Sequence, residues 1–113
     1  MKALEVRPLK WLQDPDYQPR VLYDDDEYSF IWGKYENIPA LGARWNVSEE
    51  SKRGYPGFAE HPTWYVEPDF IAITILHRLR TMAIEANDLT YLENIRFAIE
   101  ELQIKMLGRN NQN

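Results

Sequence analysis

The fold of this chain is decided by its C-terminal stretch, residues 69–108, which reads DFIAITILHRLRTMAIEANDLTYLENIRFAIEELQIKMLG. This stretch contains no proline, and its single glycine is the last residue. Because proline and glycine are the residues that most disfavour helices, so long a run without them favours helical structure. The pair Asn87-Asp88 is the one turn signal inside the stretch. Residues 69–108 are therefore predicted to form two helices joined by a short turn.

The first predicted helix begins after Pro68 and ends before Asn87. Proline fits a helix start because its missing N–H would have no partner there, and Asp69 places negative charge in the first turn. Apolar residues then recur at alternating spacings of three and four, the pattern of one helix face: Ala72, Ile75, Leu79, Met82 and Ala86. More apolar residues lie beside that face, so the helix is expected to be covered on two sides: Phe70, Ile73, Leu76 and Ala83.

The second predicted helix carries a similar apolar face, formed by Leu92, Ile95, Ile99, Leu102 and Met106. Thr90 stands three residues before Glu93, which is the pattern of a capping box at a helix start. Two pairs of opposite charge at a spacing of four residues are expected on the outer side of the helix: Arg96 with Glu100, and Glu101 with Lys105.

The N-terminal part, residues 1–68, holds all seven prolines, four of the five glycines and most of the aromatic residues. Residues 28–35 alternate large and smaller side chains, which is typical of a strand, and residues 43–47 and 63–66 are further candidate strands. The prediction is a single α+β domain over residues 1–113, with a small antiparallel sheet and aromatic-rich loops packed on an antiparallel helical hairpin. The hairpin spans residues 69–108 with Gly108 as its C-terminal cap, and residues 109–113 form a frayed tail.

The composition excludes several kinds of site. With 113 residues, 44% hydrophobic and 27% charged, the chain has the make-up of one ordinary globular domain. It contains no cysteine, which excludes disulfides, zinc–thiolate sites, iron–sulfur clusters and cysteine nucleophiles. The sequence motifs of phosphate-binding loops, zinc helices and calcium loops are also missing, so no metal or cofactor is predicted.

Charge and hydropathy indicate the compartment and the kinds of partner. No sequence window reaches the apolar length of a membrane helix, and no secretion signal is recognised at the N-terminus, so a soluble cytoplasmic protein is predicted. The formal net charge of −5 disfavours nucleic acid as a partner, because phosphate repels negative charge. The acidic run of residues 24–27 is interpreted as a solvated loop, and Arg78 and Arg80 as surface arginines.

The aromatic share of 13% is the most informative feature for function. Tryptophan and tyrosine carry a polar group on a large apolar ring, which suits half-buried positions in pockets and interfaces. The same rings would also fill the core of a domain that is short of aliphatic residues. Four of them are the candidates for a ligand site or an interface: Trp32, Tyr35, Trp45 and Trp64.

Phe97 and Ile104 lie seven residues apart and off the main apolar face of the second helix. Two apolar residues in helical register indicate a second contact surface. Either the N-terminal segment packs there, or a second copy of the chain does. A two-fold dimer would bring both residues against their own copies, so a homo-oligomer is expected.

Three functions are compatible with these observations. The first is a non-catalytic, homo-oligomeric protein-interaction module, which is favoured because catalytic motifs are missing from the sequence. The alternative is a binder of a small aromatic or cationic ligand in an aromatic, electronegative pocket. The second alternative, less favoured, is a small acid–base enzyme that uses His61 with Glu60 or Asp69.

Overall fold

A four-stranded antiparallel sheet carries two helices on one face, in a computed structural model that describes residues 17–25, 27–45, 57–58, 61–62 and 64–110. The elements are β1 (Arg20–Asp24), β2 (Tyr28–Tyr35), β3 (Ile38–Trp45), β4 (Gly57–Phe58), β5 (His61–Pro62), β6 (Tyr65–Glu67), α1 (Asp69–Glu85) and α2 (Leu89–Asn110). In the sheet the strand order is β1-β2-β3-β6, while β4 and β5 form a separate antiparallel pair. This architecture confirms the predicted α+β fold with a C-terminal helical hairpin.

The two longest strands, β2 and β3, are joined by the two-residue turn Glu36-Asn37. Both turn residues have positive φ, 51° and 68°, which is the backbone of a type I′ hairpin turn and matches the twist of the strands. The predicted strand over residues 28–35 is confirmed. Strand β3 begins at Ile38, ahead of the candidate at residues 43–47, because hairpin pairing extends through Pro39 despite its low strand propensity.

Strand β1 was not among the predicted strands. It follows Pro19 and ends at Asp24, the first residue of the acidic run. Asp25 shapes the turn that follows it. Its Oδ1 atom accepts hydrogen bonds from the backbone N–H groups of Glu27 and Tyr28 at 2.7 and 2.6 Å. Its Oδ2 atom accepts a hydrogen bond from the Tyr23 hydroxyl at 2.5 Å. The acidic run therefore contributes a carboxylate that closes the β1–β2 turn.

Helix α1 begins directly after Pro68, whose carbonyl oxygen accepts the first intrahelical hydrogen bonds. It ends where Asn87 takes the left-handed conformation, with φ of 55°. The backbone N–H of Asn87 donates to the carbonyl of Ile84 at 3.1 Å, and that of Asp88 to the carbonyl of Ala83 at 2.9 Å. These two bonds form a Schellman motif, with asparagine in the place that glycine usually holds.

Helix α2 is capped by Asp88, whose Oδ1 atom accepts a hydrogen bond from the backbone N–H of Tyr91 at 3.0 Å. The predicted capping box at Thr90 is wrong, because Asp88 supplies the cap first and Thr90 is already helical. The predicted cap at Gly108 is also wrong. This glycine lies inside α2, which continues to Asn110.

The helix-side core lies between both helices and one face of the sheet. Its fully buried members include Leu22, Trp32, Leu41, Leu76, Ile95, Ala98 and Leu102. The buried face of α1 is rotated from the predicted one, toward Leu76 and Ala83, while Ala86 and Phe70 are exposed. Among the helices in the described ranges, none has the length and apolar content needed to cross a membrane.

Candidate functional site

Polar side chains as well as apolar ones hold α2 on the sheet. Asn94 Nδ2 donates a hydrogen bond to the carbonyl oxygen of Val21 in β1 at 2.9 Å. Lys105 Nζ donates to the carbonyl oxygen of Pro39 in β3 at 2.8 Å and forms an ion pair with Asp69 at 2.9 Å. Because these contacts lie on different strands and on different turns of the helix, they fix the angle at which α2 crosses the sheet.

Glu101 lies between these contacts and accepts hydrogen bonds from two aromatic side chains. Trp32 Nε1 donates to Glu101 Oε1 at 2.8 Å, and the Tyr17 hydroxyl donates to the same oxygen. Trp32 is fully buried, so the carboxylate supplies an acceptor that water does not. Burial raises the pKa of Tyr17, and the bond to Glu101 raises it further. The predicted outer pair of Glu101 with Lys105 is wrong, because both side chains face the sheet.

The residues before and within β1 cover Phe97 on α2. The Tyr17 and Phe97 ring centroids are 6.2 Å apart, and the Arg20 guanidinium carbon lies 3.9 Å from the centroid of the Phe97 ring. The Tyr17 ring also contacts Lys34, whose ammonium nitrogen lies 4.4 Å from the ring centroid. Phe97 is thus packed by the chain itself, whereas Ile104 is 69% exposed.

The opposite face of the sheet carries a second buried cluster, which contains Ile31, Ala40 and Trp64, with Val21 and Tyr35 packed against it. Arg44 is fully buried on this face, and its guanidinium carbon lies 5.8 Å from the centroid of the Trp64 ring. Burial lowers the pKa of Arg44 to about 10. Since Trp64 and Arg44 are both buried, this cluster belongs to the interior of the fold.

An open group of aromatic rings lies at one end of the sheet, on the face that carries the helices. Tyr28 and Trp45 are register partners, and their rings meet edge to face with centroids 4.5 Å apart and an interplanar angle of 88°. Tyr65 in β6 pairs with Ala43, so it lies on the same face as a diagonal neighbour of Trp45. Trp45 and Tyr65 are 54% and 52% exposed. Tyr28, Trp45 and Tyr65 together form the aromatic corner.

One carboxylate borders the aromatic corner. Glu67 follows Tyr65 by two residues in β6 and so projects from the same face. Within the described ranges, the Glu67 side chain takes part in no ion pair and no hydrogen bond. Burial raises the pKa of Tyr28, and the negative charge of Glu67 raises it further. The corner therefore combines ring faces with a carboxylate that no cation of the described residues neutralises.

The structure does not bring the four predicted aromatic residues together. Trp32 lies in the helix-side core, Trp64 and Tyr35 lie on the opposite face, and Trp45 is open at the end of the sheet. Neighbouring residues of a strand project to opposite faces, so the sheet separates these rings into different layers. The rings that do join Trp45 are those of Tyr28 and Tyr65. Strand register brings these three residues together, and register cannot be seen in the sequence alone.

The predicted acid–base group is described only in part. Glu60 lies outside the described residues, and of His61 the structure describes the backbone, in β5. Asp69 lies at the start of α1, where it is engaged by Lys105. Arg78 and Arg80 are exposed on α1. In the part of the chain that the structure describes, no three side chains of the metal-binding kinds form a group.

Similarity to known proteins gives no information on these residues. Comparison of the chain with protein-family models, with curated proteins and with solved structures finds no match. The geometry and charge of the aromatic corner are therefore the basis for a functional proposal.

Proposed function

We propose that this protein is a non-catalytic interaction module that binds a protein partner through the aromatic corner. The observation that carries the proposal is that Trp45 and Tyr65, on neighbouring strands and one face, each leave more than half of their surface exposed. Large aromatic rings dominate binding at protein interfaces because they bury much area and lose little conformational freedom. An exposed pair of such rings is the anchor that an interface of this kind uses.

Two features support a binding role for the corner over a role in folding. The buried tryptophans, Trp32 at 0% exposure and Trp64 at 5%, already supply indole rings to the two cores. The exposed Trp45 ring is held by its edge-to-face contact with Tyr28. A ring that is ordered before binding loses less entropy when a partner covers it, which favours affinity.

We further propose that the module self-associates through the outward side of α2, and that it acts in the cytoplasm, since it has no cysteine and depends on no disulfide. Ile104 and Leu107 near the end of this helix are 69% and 60% exposed. In a two-fold dimer the same patch serves both copies, so one apolar patch on one helix is sufficient. The dimer would leave the aromatic corner free, because the corner lies on the sheet.

Peptide display tests the partner-binding proposal. Peptides selected from a random library on the immobilised protein are expected to bind Trp45→Ala and Tyr65→Ala about tenfold more weakly, the loss typical of an aromatic hot spot. Ile84→Ala is the matched control, because Ile84 is an exposed apolar residue on α1, outside the corner. Circular dichroism checks that each variant is folded. If no peptide is enriched, or if the selected peptides bind Trp45→Ala as tightly as the original protein, the proposal is wrong.

Light scattering after size-exclusion chromatography tests the self-association proposal. The original protein is expected to show a mass that rises with concentration, and the double variant Ile104→Gln, Leu107→Gln is expected to remain a monomer. Ile84→Gln, which makes the same kind of change on α1, should associate like the original protein. A monomeric mass for the original protein at every concentration would contradict this proposal without affecting the aromatic corner.

A further inference from the structure

We infer that the aromatic corner recognises arginine in an extended segment of the partner, with the guanidinium group stacked on the rings of Tyr65 and Trp45 and the Glu67 carboxylate as its counter-ion. This inference rests on the proposed function, since it names the chemistry of the partner that the corner binds. It is carried by the ring geometry, by the state of Glu67 and by the position of β6 in the sheet.

The rings provide faces at a right angle to one another. Tyr28 and Trp45 meet edge to face at 88°, so the two rings are not stacked in parallel and each keeps at least one face clear of the other. Tyr65 stands beside them on the next strand. The face of an aromatic ring carries negative electrostatic potential, which attracts a cation placed over it. Aromatic residues on neighbouring strands can therefore offer a cation more than one ring contact.

The same kind of contact between a cation and a ring occurs elsewhere in the structure, where a residue of the same chain supplies the cation. Arg20 stacks on Phe97, Lys34 on Tyr17, and Arg44 lies over Trp64. Within the described ranges, no Lys or Arg side chain lies over a ring of the aromatic corner. The corner therefore has the chemistry that this fold pairs with cations and has no cation of its own among those residues.

The charge of Glu67 selects a cation over a neutral ring. Its side chain is half-buried beside the corner and forms no ion pair with the residues that the structure describes. A carboxylate next to an aromatic face suits guanidinium, which stacks flat on a ring and donates two parallel hydrogen bonds to a carboxylate. Lysine has a compact ammonium group that cannot do both. The net charge of −5 additionally favours approach of a basic segment.

The place of Tyr65 and Glu67 in the sheet indicates a chain segment as the source of the arginine. Both residues belong to β6, the last strand of the order β1-β2-β3-β6. Side chains on a terminal strand are reached from the side of the sheet by an extended segment that need not enter the fold.

Isothermal titration with three matched peptides tests the inference. The peptides are acetyl-Gly-Ser-Arg-Gly-Ser-amide and the same sequence with lysine or with citrulline, which keeps the shape of arginine and removes the charge. The arginine peptide is expected to bind about tenfold more tightly than the citrulline peptide. Glu67→Gln should remove about the same factor, and Trp45→Ala should do so too. Glu93→Gln, which removes an exposed carboxylate from α2, should change binding less than about twofold.

Each other outcome overturns the inference in a distinguishable way. If the citrulline peptide binds as tightly as the arginine peptide, or if Glu67→Gln has no effect, the corner does not recognise a cation. In that case binding that is still lost in Trp45→Ala leaves the proposed function intact. If methylguanidinium binds as tightly as the arginine peptide, the source is a small cation and not a partner segment. If the arginine peptide does not bind, the inference fails, and the peptide selection then decides the proposed function alone.

Discussion

Glu101 joins three parts of the molecule through one carboxylate oxygen. It lies on α2, and it accepts hydrogen bonds from Trp32 in β2 and from Tyr17 ahead of β1. Trp32 is completely buried, and a buried indole N–H without an acceptor destabilises a fold by the cost of its lost hydration. The role of Glu101 is therefore to satisfy a donor in the core, at the boundary between the core and the surface.

Replacing Glu101 by alanine is expected to lower the free energy of unfolding by about 2–3 kcal/mol, since Trp32 and Tyr17 both lose a charged acceptor. The neighbouring change Glu100→Ala is the control, because Glu100 is exposed, and it should stay within about 0.5 kcal/mol of the original protein. Urea denaturation followed by tryptophan fluorescence measures both. Equal effects of the two changes would show that the Trp32 hydrogen bond contributes nothing to stability.

Glu101 is also a residue whose side-chain orientation the sequence pattern does not predict. A glutamate four residues before a lysine has the spacing of a surface ion pair, and helical periodicity alone places both outside. The structure turns both inward, because the sheet presents an indole N–H to Glu101 and a carbonyl oxygen and Asp69 to Lys105. Those partners are more than thirty residues away in sequence, and no local pattern encodes them.

At the scale of elements, the joint between α1 and α2 is a C-terminal motif followed at once by an N-terminal cap. Asn87 ends α1 in the left-handed conformation, and Asp88 begins α2 by accepting the N–H of Tyr91. Asp88→Ala is expected to lower stability by about 1 kcal/mol, the usual value of a helix cap. Thr90→Ala should leave stability within about 0.5 kcal/mol, since Thr90 is inside the helix. Thermal denaturation of the two variants measures this, and a larger loss in Thr90→Ala would restore the capping box.

Gly108 is a helical residue that has no structural need to be glycine. A Cβ atom at this position would meet nothing within 4 Å. Gly108→Ala is therefore expected to raise the free energy of unfolding by about 0.5–1 kcal/mol, because alanine loses less backbone entropy in a helix. Gln103→Gly, at an exposed position earlier in the same helix, should lower the free energy of unfolding by about the same amount. No gain in Gly108→Ala by urea denaturation would mean that α2 already frays before this residue.

Helix existence was predictable from the sequence, and helix ends less so. The apolar periodicity of residues 69–108 identifies two helices, since packing of one face is the main source of helix stability. The ends depend on competition between nearby caps, and Asp88 was available two residues before Thr90. Strand β1 is five residues long, and a strand this short gains its stability from pairing with β2. Local pattern cannot show that pairing.

At the scale of the whole molecule, the sheet distributes an unusually aromatic sequence over three environments. Alternation places Trp32 with the helices and Trp64 on the opposite face, and both are buried. Trp45 lies on the helix-bearing face but at the end of the sheet, where it is left open with Tyr65. The aromatic excess was visible in the composition, but its division into two cores and one open corner is set by strand register. The sequence therefore predicted that a candidate site would be aromatic. Of the residues that form it, the sequence identified only Trp45.

The half-buried tyrosines also make the stability of the fold depend on pH in the alkaline range. Burial raises the pKa of Tyr17, Tyr28 and Tyr91, and the hydrogen bond to Asp25 raises that of Tyr23. A pKa that is higher in the folded state means that the unfolded chain releases its proton first. The stabilisation from these phenols is therefore complete below pH 10, the pKa of the unfolded side chain, and declines as the pH rises above it. Arg44 acts in the opposite sense, because its pKa is lowered by burial.

A comparison between the original protein and Tyr17→Phe isolates one phenol from the other groups. Tyr17→Phe is expected to be less stable at neutral pH, because Glu101 loses a donor, and the difference in unfolding free energy should shrink as the pH rises above 10. Contributions from Arg44 and the other tyrosines are common to both proteins and cancel. Urea denaturation at a series of pH values measures the difference, and absorbance near the phenolate band reports when Tyr17 ionises. A difference that stays constant to the pH at which both proteins unfold would show that Tyr17 ionises alike in the folded and unfolded chains. The hydrogen bond to Glu101 would then have no influence on the alkaline stability of the fold.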